Sequence, residues 1–204
     1  MREKIERRLG ERLFLKGDRC LGPKCAVVRR NYPPGMQGTK RRRKESSEYG
    51  SLLREKQKIR FFYGIDNKDI KRYSEIALTK RGVFSFHVLQ MLEQRLDNVV
   101  FRLGLADSRR QARQMVTHGL VVIGGKAVRT PSYQVRAGEV IGLKERATKS
   151  PLVEAAEQRI KKYEAPQWLT IDKQKRTGTV VRYPEEGDLE IMFDASKIKE
   201  FYSR

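Results

Sequence analysis

Leu92-Glu-Gln-Arg-Leu-Asp-Asn-Val-Val-Phe-Arg-Leu-Gly104 and, shortly after it, Ser108-Arg-Arg-Gln-Ala-Arg-Gln114 are the stretches on which the fold turns. Val88, Leu89, Leu92, Leu96, Val99, Val100 and Leu103 recur at helical spacing, which predicts one amphipathic helix stopped by Gly104. Ser108 and Gln111 stand as a capping box, in which the serine hydroxyl accepts from an orphan backbone N–H and the glutamine reaches back. The helix they open closes near Gly119. Period-two signals follow at 120–123, 126–130, 133–136 and 140–143. Gly124 and Gly125 supply the positive φ that a two-residue hairpin needs. Residues 93–146 therefore predict two helices leading into a small antiparallel sheet.

On the N-terminal side, Leu52, Leu53 and Phe62 lie in a helix-forming segment that Gly64 stops. Asp66 or Asn67 caps the next helix, whose Ile70, Tyr73 and Ala77 share a face. On the C-terminal side the pattern predicts a helix around 153–163, strands at 168–171, 179–183 and 189–193, and a last short helix after Asp194. Residues 29–51 contain no Leu, Ile, Val or Phe, and they include Tyr32-Pro-Pro-Gly35 and Lys40-Arg41-Arg42-Arg43-Lys44. Such a stretch has nothing to bury and reads as an extended basic arm. The expected class is α+β: a mostly helical domain, a module of two helices with a small antiparallel sheet, and the arm.

Charge narrows the function. The 204 residues carry 45 Lys and Arg against 25 Asp and Glu, a net charge of +20. Residues 1–60 hold 19 bases and 7 acids, and residues 95–146 hold 10 and 4, so two blocks carry nearly all the excess. Such concentration is the footprint of a polyanion partner. Leu, Ile, Val and Phe number 51, a quarter of the chain, which is enough for a core. No apolar run approaches a membrane span, and the N-terminal Met1-Arg-Glu-Lys reads as lacking a signal peptide, so no membrane partner is expected. Two cysteines exclude a disulfide scaffold and suit a reducing cytosol. Gly125-Lys126 lacks the upstream glycine and the following Ser or Thr of a phosphate loop, and no other enzyme signature stands in the chain. The expectation is a protein that is not an enzyme and needs no cofactor.

The candidate RNA contacts follow from chemistry and position. In the module, Arg95, Asn98 and Arg102 are three and four residues apart and read as one polar face. Ser108, Arg109, Arg110 and Arg113 lie at the start of the second helix, where guanidinium forks and the positive helix end suit phosphate. His118 and Lys126 extend that surface. In the first block the candidates are Lys16, Arg19, Arg29, Arg30, Lys40, Arg41, Arg42, Arg43, Lys44, Arg54, Lys56, Lys58 and Arg60. Tyr32 and Tyr49 lie among them as stacking surfaces.

Leu92–Gly104, Ser108–Gln114, His118-Gly119 and Pro131-Ser-Tyr133 together resemble the RNA-binding domain of the small-subunit ribosomal protein S4 family. Leu15-Lys-Gly-Asp-Arg-Cys20, Arg30-Asn-Tyr-Pro-Pro-Gly35, Ser47-Glu-Tyr-Gly50, Pro166-Gln-Trp-Leu169 and Phe201-Tyr-Ser-Arg204 resemble the same family in the same order. The resemblance implies a primary rRNA-binding protein that docks on 16S rRNA early in small-subunit assembly, in the cytoplasmic ribosome. It implies a module at 93–159, with its core at 93–146, inserted into a domain made of 1–92 and completed by 160–204. It also implies a place near the channel by which mRNA enters, with Arg41, Arg42 and Arg43 against the message and an influence on translational accuracy. Neighbours of the S5 and S3 families are implied, met through the C-terminal Ile198, Phe201 and Tyr202.

Two departures matter. Some members bind zinc through two cysteine pairs; here Cys20 and Cys25 remain, while Glu3 and Glu6 stand where the first pair falls. Two thiols and two carboxylates make a poor structural zinc site, so no metal is expected. Gln37 stands where the family has a histidine. The rival readings are an RNA-modifying enzyme carrying the same module and a free RNA chaperone or mRNA repressor. The enzyme would need a further catalytic domain, for which the 58 residues after 146 are too few.

Overall fold

The computed structural model describes residues 2–40, 47–144, 163–189 and 193–203. These divide into two compact units, one formed by residues up to Ser85 with 193–203, the other by Phe86 to 189. The architecture is α+β.

The first unit is helical. It contains α1 (Arg2–Leu9), α2 (Ala26–Arg29), α3 (Glu48–Tyr63), α4 (Asn67–Thr79) and, from the far end of the chain, α8 (Ser196–Ser203). The Ser47 hydroxyl caps α3 by accepting from the Gly50 N–H, and Gly64 ends it at φ +65°, a conformation glycine adopts without a Cβ clash. α8 packs on α3 and α4. Leu52, Ile59, Phe62, Ile70, Tyr73, Phe193 and Ile198 form the buried faces, with the Phe62 and Phe193 rings edge to face at 4.9 Å.

Ahead of the stretch expected to form the extended arm, residues 2–29 fold as a lobe, and residues 30–40 are tied to it without forming helix or strand. Leu13, Cys20, Cys25 and Val27 are buried. Glu6 is 1% exposed, and its Oε1 accepts from the N–H groups of Leu13 at 3.0 Å and Leu15 at 3.2 Å. Phe14 between them has φ 52°, a strained value for an aromatic residue, and that conformation turns both flanking N–H groups toward one oxygen. Arg7 completes the lobe: its Nε donates to the carbonyls of Arg30 at 3.1 Å and Tyr32 at 3.0 Å, and its guanidinium lies 4.6 Å over the Tyr32 ring. Composition alone missed these polar ties, because they replace the aliphatic burial that the segment lacks.

The second unit begins within α5 (Phe84–Glu93) and continues as α6 (Leu96–Arg102), α7 (Arg109–Thr117), β1 (Val121–Ile123), β2 (Lys126–Ala127), β3 (Val140–Leu143), β4 (Leu169–Asp172) and β5 (Thr177–Val180). The predicted single helix over 88–103 is two helices. Between them Arg95 adopts φ −64°, ψ 136° and bridges Gln134, while the Leu96 and Asp97 N–H groups donate to the Tyr133 and Pro131 carbonyls. Tertiary backbone bonds thus displace intrahelical ones at the break.

The sheet is antiparallel with order β2-β1-β3-β5-β4. Val122 faces Gly142, and Val140 faces Thr179. Leu96, Val99, Val100, Leu103, Met115, Val121, Ile141, Trp168 and Val180 belong to its core. A Cβ on Gly178 would overlap the Leu103 side chain, so glycine lets α6 close on β5.

The segment 160–204, expected to complete the helical domain, is divided: 169–180 extends the module's sheet, and 193–203 joins the first unit. The expected strand at 126–130 shortens to Lys126–Ala127. The predicted helix at 153–163 lies outside the described residues except for Tyr163, as does most of the predicted strand at 189–193. No helix among the described residues is long and apolar enough to cross a membrane.

Candidate nucleic-acid interface

The module's basic residues split into three groups by solvation. Arg95, Asn98 and Arg102, expected as RNA contacts on one polar face, are buried. Arg102 donates to both Glu93 oxygens, Nε at 2.9 Å and Nη2 at 3.0 Å. Asn98 Nδ2 donates to the same carboxylate at 2.7 Å. Arg95 grips Asp97 through Nε at 3.1 Å and Nη2 at 3.0 Å. These side chains form an internal polar network, and the break between α5 and α6 is what turns them inward. Their donors are engaged inside the protein rather than presented to solvent.

The second group is tethered at the edge of that network. Arg109 donates from Nε to Asn98 Oδ1 at 2.8 Å and lies 4.5 Å over the Phe101 ring. Arg113 sits 3.7 Å from Asp97. Both are half-buried. Ser108 caps α7 by accepting from Gln111 N–H, and the Gln111 side chain accepts from the Asp107 N–H. The third group, Arg110, His118 and Lys126, is exposed. Charge reversal therefore has different consequences along one helix. Arg109→Glu is expected to cost about 1.5–3 kcal/mol, because it removes a charged hydrogen bond and sets a carboxylate against the Asn98 oxygen that accepted it. Arg110→Glu should move stability by no more than about 0.5 kcal/mol while weakening RNA binding roughly tenfold. Urea unfolding alongside filter binding checks both, and equal destabilisation by the two would contradict the tether.

In the first unit the candidates divide in the same way. Lys58 is buried between Glu11 at 2.6 Å and Glu55 at 2.7 Å. Burial alone would pull its ammonium down, but these two hydrogen bonds outweigh it and hold the group above its usual value. Lys56 lies 4.3 Å over the Phe201 ring and 5.1 Å over Tyr202, and burial, helped by the Arg60 charge, pulls it below the usual lysine range. Neither lysine faces solvent as expected. Arg60 donates to Gln57 at 3.4 Å and lies over Phe61. Tyr49 stacks on Phe201 at 5.8 Å. Arg19, Arg29, Arg30, Lys40 and Arg54 are exposed, Lys16 is half-buried, and Tyr32 has one face covered by Arg7. Arg41, Arg42, Arg43 and Lys44 lie outside the described residues.

The residues expected at a protein interface also act internally. Ile198 is fully buried, and Phe201 and Tyr202 hold α8 against α3 through Tyr49 and Lys56. This corrects Ile198 outright. The sequence reading missed Lys4 and Arg7, although their i, i+3 spacing in 2–9 was the available signal.

The donor set does not fit a zinc ion. Among the described residues no group of three or more His, Cys, Asp or Glu is placed to hold a metal. Glu3 is occupied by Lys16 at 2.9 Å and Arg19 at 3.2 Å, and the Oε1 of Glu6 by the Leu13 and Leu15 N–H groups, which leaves only the buried Glu6 Oε2 without a hydrogen bond. Burial pushes the Cys20 thiol up, which favours S–H over the thiolate a metal needs.

Comparison with known proteins gives a concordant result across the chain. Residues 1–93 match the ribosomal protein S4/S9 N-terminal domain, and residues 94–141 match the S4 domain. The chain is 46% identical to small ribosomal subunit protein uS4 of Acetivibrio thermocellus over 198 residues, covering 97% of this chain and 94% of the relative. The corresponding protein of Syntrophomonas wolfei is also 46% identical, and that of Thermus thermophilus 44%, with the same coverage of both chains. With both domains matched in order and nearly the whole length aligned, the chain belongs to the ribosomal protein uS4 family.

Proposed function

We propose that this protein is a structural constituent of the small ribosomal subunit that binds 16S rRNA directly and early in assembly, in the cytoplasm. The observation that carries this reading is the distribution of solvated charge. After the internal pairs of Lys58, Arg95 and Arg102 and the Arg19 pair with Glu3 are set aside, Arg29, Arg30, Arg54, Arg110 and Lys126 still face solvent on the two units. Cations left unneutralised by the fold suit phosphate, and half or more of the hydrogen bonds in such interfaces go to the backbone. RNA read mainly by shape needs rigid cation placement, and the tether of Arg109 to Asn98 supplies it.

Arg41, Arg42 and Arg43 are assigned to mRNA where it enters the subunit, on charge and on the family's position. Contacts to neighbours of the S5 and S3 families are assigned to the solvent-facing side chains of the C-terminal part, which do not include the buried Ile198. The role is structural rather than enzymatic. Sucrose-gradient sedimentation of a cell extract is the direct test. The protein should migrate with small subunits, and a pool confined to the top of the gradient would favour a free RNA chaperone.

A further inference from the structure

We propose that Phe14 is a stacking platform for an unpaired nucleobase of RNA. This rests on the reading of the protein as an rRNA binder and adds a residue that meets a base rather than the sugar-phosphate chain. The aromatic faces of the first basic block are mostly spent inside the protein. Tyr49 stacks on Phe201, Tyr32 has one face under the Arg7 guanidinium, Phe61 lies against Arg60, and Phe62 and Tyr63 are buried. Phe14 is 39% exposed, and among the described residues no ring or cation stacks on it.

The backbone holds that ring in water against its own preference. At φ 52° the Cβ crowds the peptide, a conformation that asparagine and glycine tolerate and an aromatic residue rarely adopts. Three hydrogen bonds lock it. The Leu13 and Leu15 N–H groups donate to Glu6 Oε1 at 3.0 and 3.2 Å, and the Phe14 carbonyl accepts from the Gly17 N–H at 3.2 Å. Glu6 is 1% exposed and Leu13 2%, so the anchors lie in the interior while the ring between them meets solvent. Strain kept at a residue that buries little marks a side chain shaped for a ligand. The surroundings name its class. Arg12 is exposed with no acid paired to it among the described residues, and Lys16 and Arg19 share the single carboxylate of Glu3. An aromatic face set among cations suits bases splayed from RNA loops and bulges. A protein pocket is the weaker fit, because such interfaces bury clustered apolar anchors and this ring is flanked by charged Arg12 and Lys16.

The test uses the full-length protein and a small-subunit rRNA transcript. Phe14→Asn removes the ring and suits the backbone. It should lower rRNA affinity roughly 5- to 150-fold, the range for one lost stacked base, while the melting temperature stays level or rises. Its log–log salt slope should match the parent's, since a stacked base releases no counterion. Phe14→Tyr keeps a ring and should bind within about twofold of the parent. In Phe14→Trp the new indole should be quenched by the transcript and not by inorganic polyphosphate at equal phosphate concentration. The native Trp168 is 1% exposed and supplies a constant background. Parent-like affinity of Phe14→Asn, a shallower slope, or equal quenching by polyphosphate would overturn the platform and leave the rRNA reading standing. A lowered melting temperature in Phe14→Asn would also overturn it, by showing that the ring packs on the lobe. If the parent protein fails to bind rRNA, the functional reading falls and the platform with it.

Discussion

Glu93→Ala should unfold the second unit well below the melting temperature of the parent protein. Glu93 is 2% exposed and accepts from Arg102 Nε, Arg102 Nη2 and Asn98 Nδ2 at 2.7 to 3.0 Å. Removing the carboxylate leaves a buried guanidinium without its counter-charge, a change that costs about 3–5 kcal/mol. For a unit of this size each kcal/mol lowers the melting temperature by about 4 °C or more. The damage spreads, because Asn98 also holds Arg109 at 2.8 Å. Glu93→Gln keeps two polar atoms but loses the charge, and it should fall between the parent and Glu93→Ala. Calorimetry on the three proteins checks the order. A Glu93→Ala transition within about 2 °C of the parent would mean that the network contributes little to the fold.

Affinity for 16S rRNA should collapse with salt. If about 6–10 phosphates are neutralised, binding falls roughly 10³–10⁵-fold between about 50 and 200 mM salt on the duplex-DNA scale, and somewhat less for looser RNA. The net charge of +20 motivates the expectation, but the structure changes which charges count. Lys58, Arg95 and Arg102 are neutralised inside the protein and release no counterions. Exposed Lys4, Arg8, Arg12, Arg19, Lys24, Arg29, Arg30, Lys40 and Arg54 in the first unit are enough to reach that number of contacts. Filter binding across a salt series reads the slope, and a nearly flat line would end the electrostatic account. Arg95→Gln should leave the slope unchanged, whereas Arg110→Gln should make it shallower by about 0.7–0.9, one phosphate contact.

Much of the secondary structure was legible in the sequence because its determinants are local. The Ser108 cap, the Gly64 stop, the Gly124-Gly125 turn and the strand at 140–143 each follow from one residue's conformational or hydrogen-bonding preference. The break at residues 94–95 was not legible. Apolar spacing from Val88 to Leu103 is satisfied by one helix as well as by two, and the bonds that divide them come from 131–135, a remote segment. The folded N-terminal lobe was missed for a related reason: its ties run from Glu6 and Arg7 to backbone groups 7 to 26 residues away.

The candidate site divides along the same line. The sequence by itself determined the family, the α+β class, the excess of positive charge and the two blocks that carry it, since these depend on composition, order and short-range spacing. Only the tertiary structure decided which cations are available to a ligand. A guanidinium's availability depends on desolvation and on the acids brought within about 4 Å of it, which are properties of three-dimensional packing. Arg102 and Arg110 are chemically identical in the sequence. The break that lets Glu93 reach Arg102 buries one of them, while the helix start at Ser108 leaves the other in water.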